Sequence, residues 1–261
     1  MMYTAIEIER NQGVATVWMN RPQMHNAFDP VLIAELHNAF LALGDDPAVR
    51  VVVLAGRGKS FSAGADLGWM KRAATFSEAE NLRDAQELAE MLHVLAECPK
   101  PTIARVHGAA LGGGVGLTTA CDIALASTDA VFAMSEVRFG ITPATVSPYV
   151  VRAMGARQAT RYFQTAERIR AERALAIGLV HEVVAPDELD ACVAAMVTVL
   201  GQGGPRAQAE AKELVRLVEQ QEISAGIIAE TARRIASLRV TDEATEGLAA
   251  FLEKRPASWC K

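Results

Sequence analysis

The chain has 261 residues, 51% of them hydrophobic and 22% charged, with a formal net charge of −5. That length and apolar content suffice for one large core, with or without a small appendage. The acidic balance and the lack of any dense Lys/Arg run argue against nucleic acid or an anionic membrane surface as a partner, and no apolar run reaches the roughly 18 residues that a membrane span needs.

Residues 1–11 alternate polar and apolar side chains and include Glu7 and Glu9, unlike a secretory signal or an Arg-rich transit peptide, and read as an edge strand of a cytoplasmic protein. Residues 5–10 and 14–20, joined through Asn11-Gln12-Gly13, predict a β-hairpin, because alternation, β-branched residues and turn punctuation coincide. After the cap-like Asp29-Pro30, apolar residues recur at helical spacing over 31–43, and 50–55 is a short β-branched run of the buried parallel type. The pattern then repeats: a glycine-punctuated loop (56–68), a long helix (77–97), a strand (102–107), a glycine cluster, a helix (114–121) and a strand (122–126). Strands alternating with helices imply a layered α/β core. From Arg157 onward strand signals are sparse, and helical spacing runs over 156–177, 186–200, 205–221 and 223–239. The last fifth of the chain reads as a helical appendage that covers something or meets a neighbour.

Cys98, Cys121, Cys192 and Cys260 lack C-x-x-C spacing and a nearby His cluster, so they read as ordinary thiols rather than a zinc site or redox pair. The five histidines show neither H-x-x-x-H nor H-E-x-x-H spacing, and no metal is expected. His107, just before the glycine cluster, reads as a brace for that loop. No Ser stands in a G-x-S-x-G elbow, which argues against an α/β-hydrolase triad.

Two loops place small residues where a helix or strand is about to start: Phe61-Ser62-Ala63-Gly64-Ala65-Asp66-Leu67 and His107-Gly108-Ala109-Ala110-Leu111-Gly112-Gly113-Gly114. Small side chains admit a ligand to the backbone, and glycines at a helix mouth leave N–H groups free to hold negative charge, including charge present only in an intermediate. Taken singly, each loop reads more readily as a tight turn. The triple glycine is not a nucleotide loop, since it lacks the lysine of G-x-x-x-x-G-K-[ST] and does not fit G-x-G-x-x-G.

Along nearly its whole length the chain resembles the crotonase (enoyl-CoA hydratase/isomerase) family. The markers are Asn20-Arg21-Pro22 with Asn26-Ala27-Phe28, the two loops above, Lys100-Pro101, Ala120-Cys121-Asp122-Ile123, Ala176-Ile177-Gly178-Leu179-Val180 and the tail Phe251-Leu252-Glu253-Lys254-Arg255. The resemblance implies a crotonase/ClpP-like α/β spiral of repeated ββα units over 1–195, a C-terminal helical trimerisation region over 196–261, and homotrimers or dimers of trimers. It implies a CoA thioester as substrate, with no separate cofactor, whose carbonyl oxygen sits between the backbone N–H groups of Ala65 and Gly113. Asn26, Ala27, Phe28, Ala63, Gly64, Asp66 and Leu67 would line the CoA, with Phe251 and Lys254 near its nucleotide end; for Lys254 a solvated terminal charge is an equal reading.

Hydratases of this family that use two carboxylates carry the first two residues after the glycine triplet and the second about 20 positions later. Here the first position is Gly116 and the second Glu136, so one acid/base partner is missing. A carboxylate among Met134, Val137 and Phe139 can have its pKa raised and so both accept and donate a proton. Hydration of a 2-enoyl thioester and Δ3–Δ2 isomerisation both fit one such group, and an inert acyl-CoA-binding member of the fold is a third reading. The stretch 139–151 is similar to bacterial methylglutaconyl-CoA and related branched-chain hydratases, which ranks hydration first and implies a place in leucine breakdown. A glutaconyl-type substrate adds a distal carboxylate, for which Lys71, Arg72, Arg138 and Tyr149 are candidates. Thr145 and Ser147 are candidates for holding water.

Overall fold

The computed structural model describes residues 3–260. Strands β1 (Ile6–Asn11) and β2 (Val14–Met19) form the expected antiparallel hairpin, from Ile6 opposite Met19 to Asn11 opposite Val14. Helix α1 (Pro30–Asp45) starts where Asp29 accepts the Leu32 N–H, and buries Leu32, Ile33, Leu36, Phe40 and Leu43 at helical spacing. Strand β3 (Val51–Gly56) is buried at every residue, as expected of a strand covered on both faces.

Helix α2 (Leu67–Ala73) occupies the end of what the sequence suggests is loop; its Gly68 and short span hide the period, and Asp66 caps it through the Gly68 and Trp69 N–H groups. Helix α3 (Glu78–Glu97) begins on a capping box made by Ser77 and Glu80. There follow β4 (Thr102–Val106), β5 (Ala109–Leu111), α4 (Gly113–Ala120), β6 (Ile123–Ser127) and β7 (Val131–Ala133). Helix α5 (Ser147–Thr165) starts earlier than its spacing suggests and kinks at Gly155, where φ is +77°. The expected single helix over 156–177 is instead the end of α5, then β8 (Ile169–Arg170) and α6 (Ala171–Ala176). Strand β9 (Glu182–Val184) precedes α7 (Leu189–Gly201), α8 (Pro205–Val218), α9 (Ala225–Arg239) and α10 (Asp242–Leu252).

The main sheet has the order β1-β2-β3-β4-β6-β9, parallel except for the opening hairpin, and β5-β7-β8 form a second, smaller sheet. Helices α1, α3 and α4 fill the large core on one face. On the other face α7 lays Val193, Met196, Val197 and Leu200 over Val51, Val53, Ile103 and Leu125. Residues 195 and 196 thus fall inside a helix that belongs to the core packing. The helices that follow are tied to that core by ion pairs and hydrogen bonds. Lys212 Nζ donates to Asp122 Oδ2 (2.9 Å) and Cys98 O (2.8 Å), and the Arg50 guanidinium donates to Gly203 O (2.7 Å) and Trp259 O (3.1 Å).

Candidate active site

The loop that leaves β3 is stitched on both sides. Toward the first turn of the chain, Phe28 N donates to Gly64 O (2.6 Å) and Asp66 N to Phe28 O (2.8 Å), a pair that brackets Ala65. Toward the glycine cluster, Ser62 N donates to Ala109 O (3.0 Å) and Leu111 N to Ser62 O (2.8 Å). Gly64 then lies so close to the next loop that a Cβ on it would stand 2.9 Å from Leu111 O, so φ +85° and the absence of a side chain are both required there.

These contacts bring the residue before Ala65 against the residue before Gly113, the first of α4: a Cβ on Gly64 would stand 3.8 Å from Gly112 Cα. Among the described residues, neither the Ala65 nor the Gly113 N–H has a protein acceptor. Ala65 is exposed and Gly113 half-buried. The Gly113 N–H belongs to the open end of α4, where helical geometry leaves donors unpaired and the peptide dipoles favour negative charge. Phe28 backs this wall: it is 1% exposed, and a Cβ on Gly113 would stand 2.4 Å from its Cε2.

Glu136 opens a 3₁₀ turn, Glu136–Phe139, after β7. A Cβ on Gly112 would lie 3.1 Å from Glu136 Oε1, which puts the carboxyl next to the Gly112-Gly113 peptide. Oε2 is buried with no hydrogen-bond partner, and burial pushes the Glu136 pKa above the ordinary carboxylate value. An unpartnered buried oxygen is costly in a finished fold and is suited to take a proton from something that enters the site.

Not every sequence candidate faces the ligand space. Asn26 is fully buried and its side chain is used within the protein: Oδ1 accepts from Arg21 N (2.9 Å), and Nδ2 donates to Arg57 O (2.9 Å) and Ser60 O (2.8 Å). It braces the loops, at φ +53°, a conformation Asn tolerates. Asn26→Ala is expected to destabilise the fold by roughly 3 kcal/mol, read by urea unfolding, since it strips three hydrogen bonds from backbone partners that are buried or half-buried. Asp66 caps α2 and pairs with Arg21, which also holds Asp29. Ala27 is buried, and its carbonyl accepts from the Arg21 guanidinium. Ala63 is half-buried, and Leu67, 71% exposed, stands open beside Ala65. His107 Nε2 lies 2.9 Å from Gly58 O, a bracing contact on the first loop.

Phe251 and Lys254 lie at and just past the end of α10. Trp259 packs on Gly247 of α10, and its carbonyl binds Arg50 at the start of β3, whereas Ala65 follows the far end of that strand. Phe251 is 79% exposed there.

Of the remaining candidates, Arg138 donates to Ala166 O, and Tyr149 lines a separate cavity of about 580 Å³ between α4, α5 and α8. Arg72 lies over Gly68, its Nη1 3.7 Å from where a Cβ would be, and Lys71 beside it is exposed. Ser147 Oγ donates to Ala144 O (2.7 Å), and Thr145 is half-buried. Among the described residues, no group of three or more His, Cys, Asp or Glu could hold a metal ion, and no helix is long and apolar enough to cross a membrane.

Sequence reasoning missed Val146. It precedes α5, is 2% exposed, and its Cγ1 lies 2.4 Å from where a Cβ on Gly116 would be. A valine gives no chemical signal, so only the packing shows it. Phe28 reads from the sequence as a ligand contact, and its role behind Gly113 is likewise visible only in three dimensions.

A mostly parallel six-stranded main sheet with a second small sheet, the glycine-rich mouth of α4 and the Glu136 carboxyl against Gly112 make this an α/β protein of the crotonase fold. Residues 9–261 match the family model described as enoyl-CoA hydratase/isomerase. A crotonyl-CoA hydratase from Syntrophomonas wolfei is 34% identical over 261 residues, covering 99% of each chain. The crystal structure of an enoyl-CoA hydratase from Shewanella pealeana superposes with a TM-score of 0.95 at 41% identity, over 98% of this chain and 96% of that one. One from Mycobacterium smegmatis gives 0.92 at 35% identity, over 99% and 100%. The chain belongs to the enoyl-CoA hydratase/isomerase family.

Proposed function

We propose that the protein hydrates a short or branched 2-enoyl-CoA thioester, such as 3-methylglutaconyl-CoA, to the 3-hydroxyacyl-CoA. What supports this reading is that the Ala65 and Gly113 amides lack protein acceptors while the Glu136 carboxyl, with one oxygen buried and unpartnered, lies against Gly112. The thioester oxygen accepts from both N–H groups, which draws electron density from the conjugated system and makes Cβ electrophilic. Glu136 takes a proton from water as the water oxygen bonds to Cβ, the enolate oxygen is held by the two amides, and the proton returns to Cα. Removing one such donor typically costs roughly 3–4 kcal/mol of transition-state stabilisation, so the backbone is the largest single contributor.

The methylglutaconyl assignment rests on the likeness of residues 139–151 to branched-chain hydratases and would place the enzyme in leucine breakdown in the cytoplasm. Arg72, beside the Ala65 loop, is the cation best placed for a distal carboxylate. Assembly as a trimer, or a dimer of trimers, would let a neighbouring copy supply Phe251 and Lys254 to the CoA. A second reading is favoured by Val146, which stands where another carboxylate would project: Δ3–Δ2 isomerisation needs only one group, to take a proton from C2 and return it to C4.

Purified protein offered crotonyl-CoA, 3-methylglutaconyl-CoA and a 3-enoyl-CoA decides between them through the absorbance of the conjugated thioester. Hydration is expected to bleach the first two, with the branched acid turned over faster. Rising absorbance on the 3-enoyl substrate alone would establish the isomerase, and no change on any substrate would reduce the protein to a binder.

A further inference from the structure

Gly116 sits one helical turn along α4 from Gly112 and Gly113, on the side of the helix that those residues present to Glu136 and Phe28. A side chain at 116 would therefore leave α4 one turn beyond the Gly112 position that lies against the Glu136 carboxyl. That space is filled. A Cβ there would stand 2.4 Å from Val146 Cγ1, 3.1 Å from Val146 Cβ and 3.5 Å from Leu92 Cδ1. Leu92 is fully buried, and Val146 is a β-branched residue with a stiff side chain at the entry to α5, so neither can swing away as a Lys or Met would.

We propose that Val146 is the residue that determines the reaction specificity of this site, by occupying the position from which a second acid/base group would face Glu136. The single carboxylate is then a property of packing between α4 and the start of α5, not of position 116 alone. In the site as built, the space beside Gly116 is taken by Val146 and Leu92, position 116 offers water no second carboxylate, and on this reading every proton passes through Glu136. Opening the valine position would make room for the missing partner and shift the balance toward water addition. This inference rests on the reading of Glu136 as the proton-transfer group.

The test compares Gly116→Glu, Val146→Gly, their combination, and the combination carrying Gln in place of Glu at 116, each assayed for crotonyl-CoA hydration and 3-enoyl-CoA isomerisation and for Tm. Gly116→Glu alone is expected to lower Tm and to lose at least tenfold in both activities, since its side chain meets Val146. Adding Val146→Gly should restore Tm toward that of Val146→Gly alone. It should also raise the ratio of hydration to isomerisation at least tenfold over wild type, with a second ionisation in the pH profile of kcat/KM. The Gln version should recover the fold without either gain.

An equal gain with Gln would overturn the proposal, because space and not a carboxylate would then be responsible. So would a Gly116→Glu protein that folds and turns over as well as the double variant. If the double variant folds and gains nothing while Glu136→Gln is inactive, Val146 does not control the partition although Glu136 still transfers the proton. Full activity in Glu136→Gln would remove the underlying reading and this proposal with it.

Discussion

Glu136→Gln is expected to reduce turnover by roughly 10²–10⁴-fold, the range for loss of a positioned general acid or base, and at the same time to raise Tm at neutral pH. The two effects have one cause. Burial lifts the Glu136 pKa above 4.5, its ordinary value, so the folded chain holds that proton more tightly than the unfolded chain does. Stability associated with this group is therefore present at low pH, falls as pH rises from the unfolded value through the folded one, and stays lost above it. Gln carries no charge to desolvate and escapes that loss, so its advantage should shrink as both proteins are taken to acidic pH. Catalysis runs the other way, because the ionised form is the base. The acidic limb of kcat/KM should lie above the value for a free carboxyl group and should disappear in the variant's residual rate. A variant with wild-type turnover, or one destabilised at neutral pH, would show that Glu136 is an ordinary surface acid.

Gly113→Ala is expected to be nearly as damaging, although it removes no functional atom. Its Cβ would meet Phe28 at 2.4 and 2.7 Å, and that ring is 1% exposed and cannot retreat, so the first turn of α4 must shift and carry the amide with it. Losing one oxyanion donor typically lowers kcat by roughly 10²–10³-fold, and overpacking a tight core position costs about 1–3 kcal/mol. Combining the change with Phe28→Leu makes room for the methyl group, and should return most of the stability and part of the rate. Gly201→Ala is the control: its Cβ meets nothing within 4 Å, and Ala at the end of α7 should leave Tm unchanged or higher. If Gly113→Ala keeps full kcat while the Phe28 contact is present, its N–H is not the donor that holds the enolate oxygen.

The local code was legible in the chain. The hairpin around Gly13, the Asp29-Pro30 start of α1, the buried run of β3 and the Ser77 cap of α3 follow from residues close in sequence, because turn chemistry, capping and periodicity act over a few positions. The two glycine loops and Glu136 also stood out as candidates, since small residues at a helix mouth and a carboxylate among apolar neighbours are local signals. Strands β5, β7, β8 and β9, of two or three residues each, were not legible, because so short a segment shows no period and is held by its neighbours in space. Helix α2 was hidden by the glycine inside it.

What only the tertiary structure decided is the function of packing at a distance. Asn26 reads as a ligand contact and is a brace, because its partners, Arg57 and Ser60, come from a loop that sequence alone does not bring to it. The anchoring of α10 is likewise tertiary: Trp259 packs on Gly247 and its carbonyl accepts from Arg50, contacts that no local pattern announces. By itself, the sequence determined that there are two bare-backbone loops and one acid at the expected place. Folding determined that the Gly64 turn lies against Leu111 and Gly112, and that Val146 fills the space left by Gly116. The reason is physical: hydrogen-bonding and turn preferences belong to neighbouring residues, whereas close-packed contacts are set by volumes that meet only when distant segments are brought together.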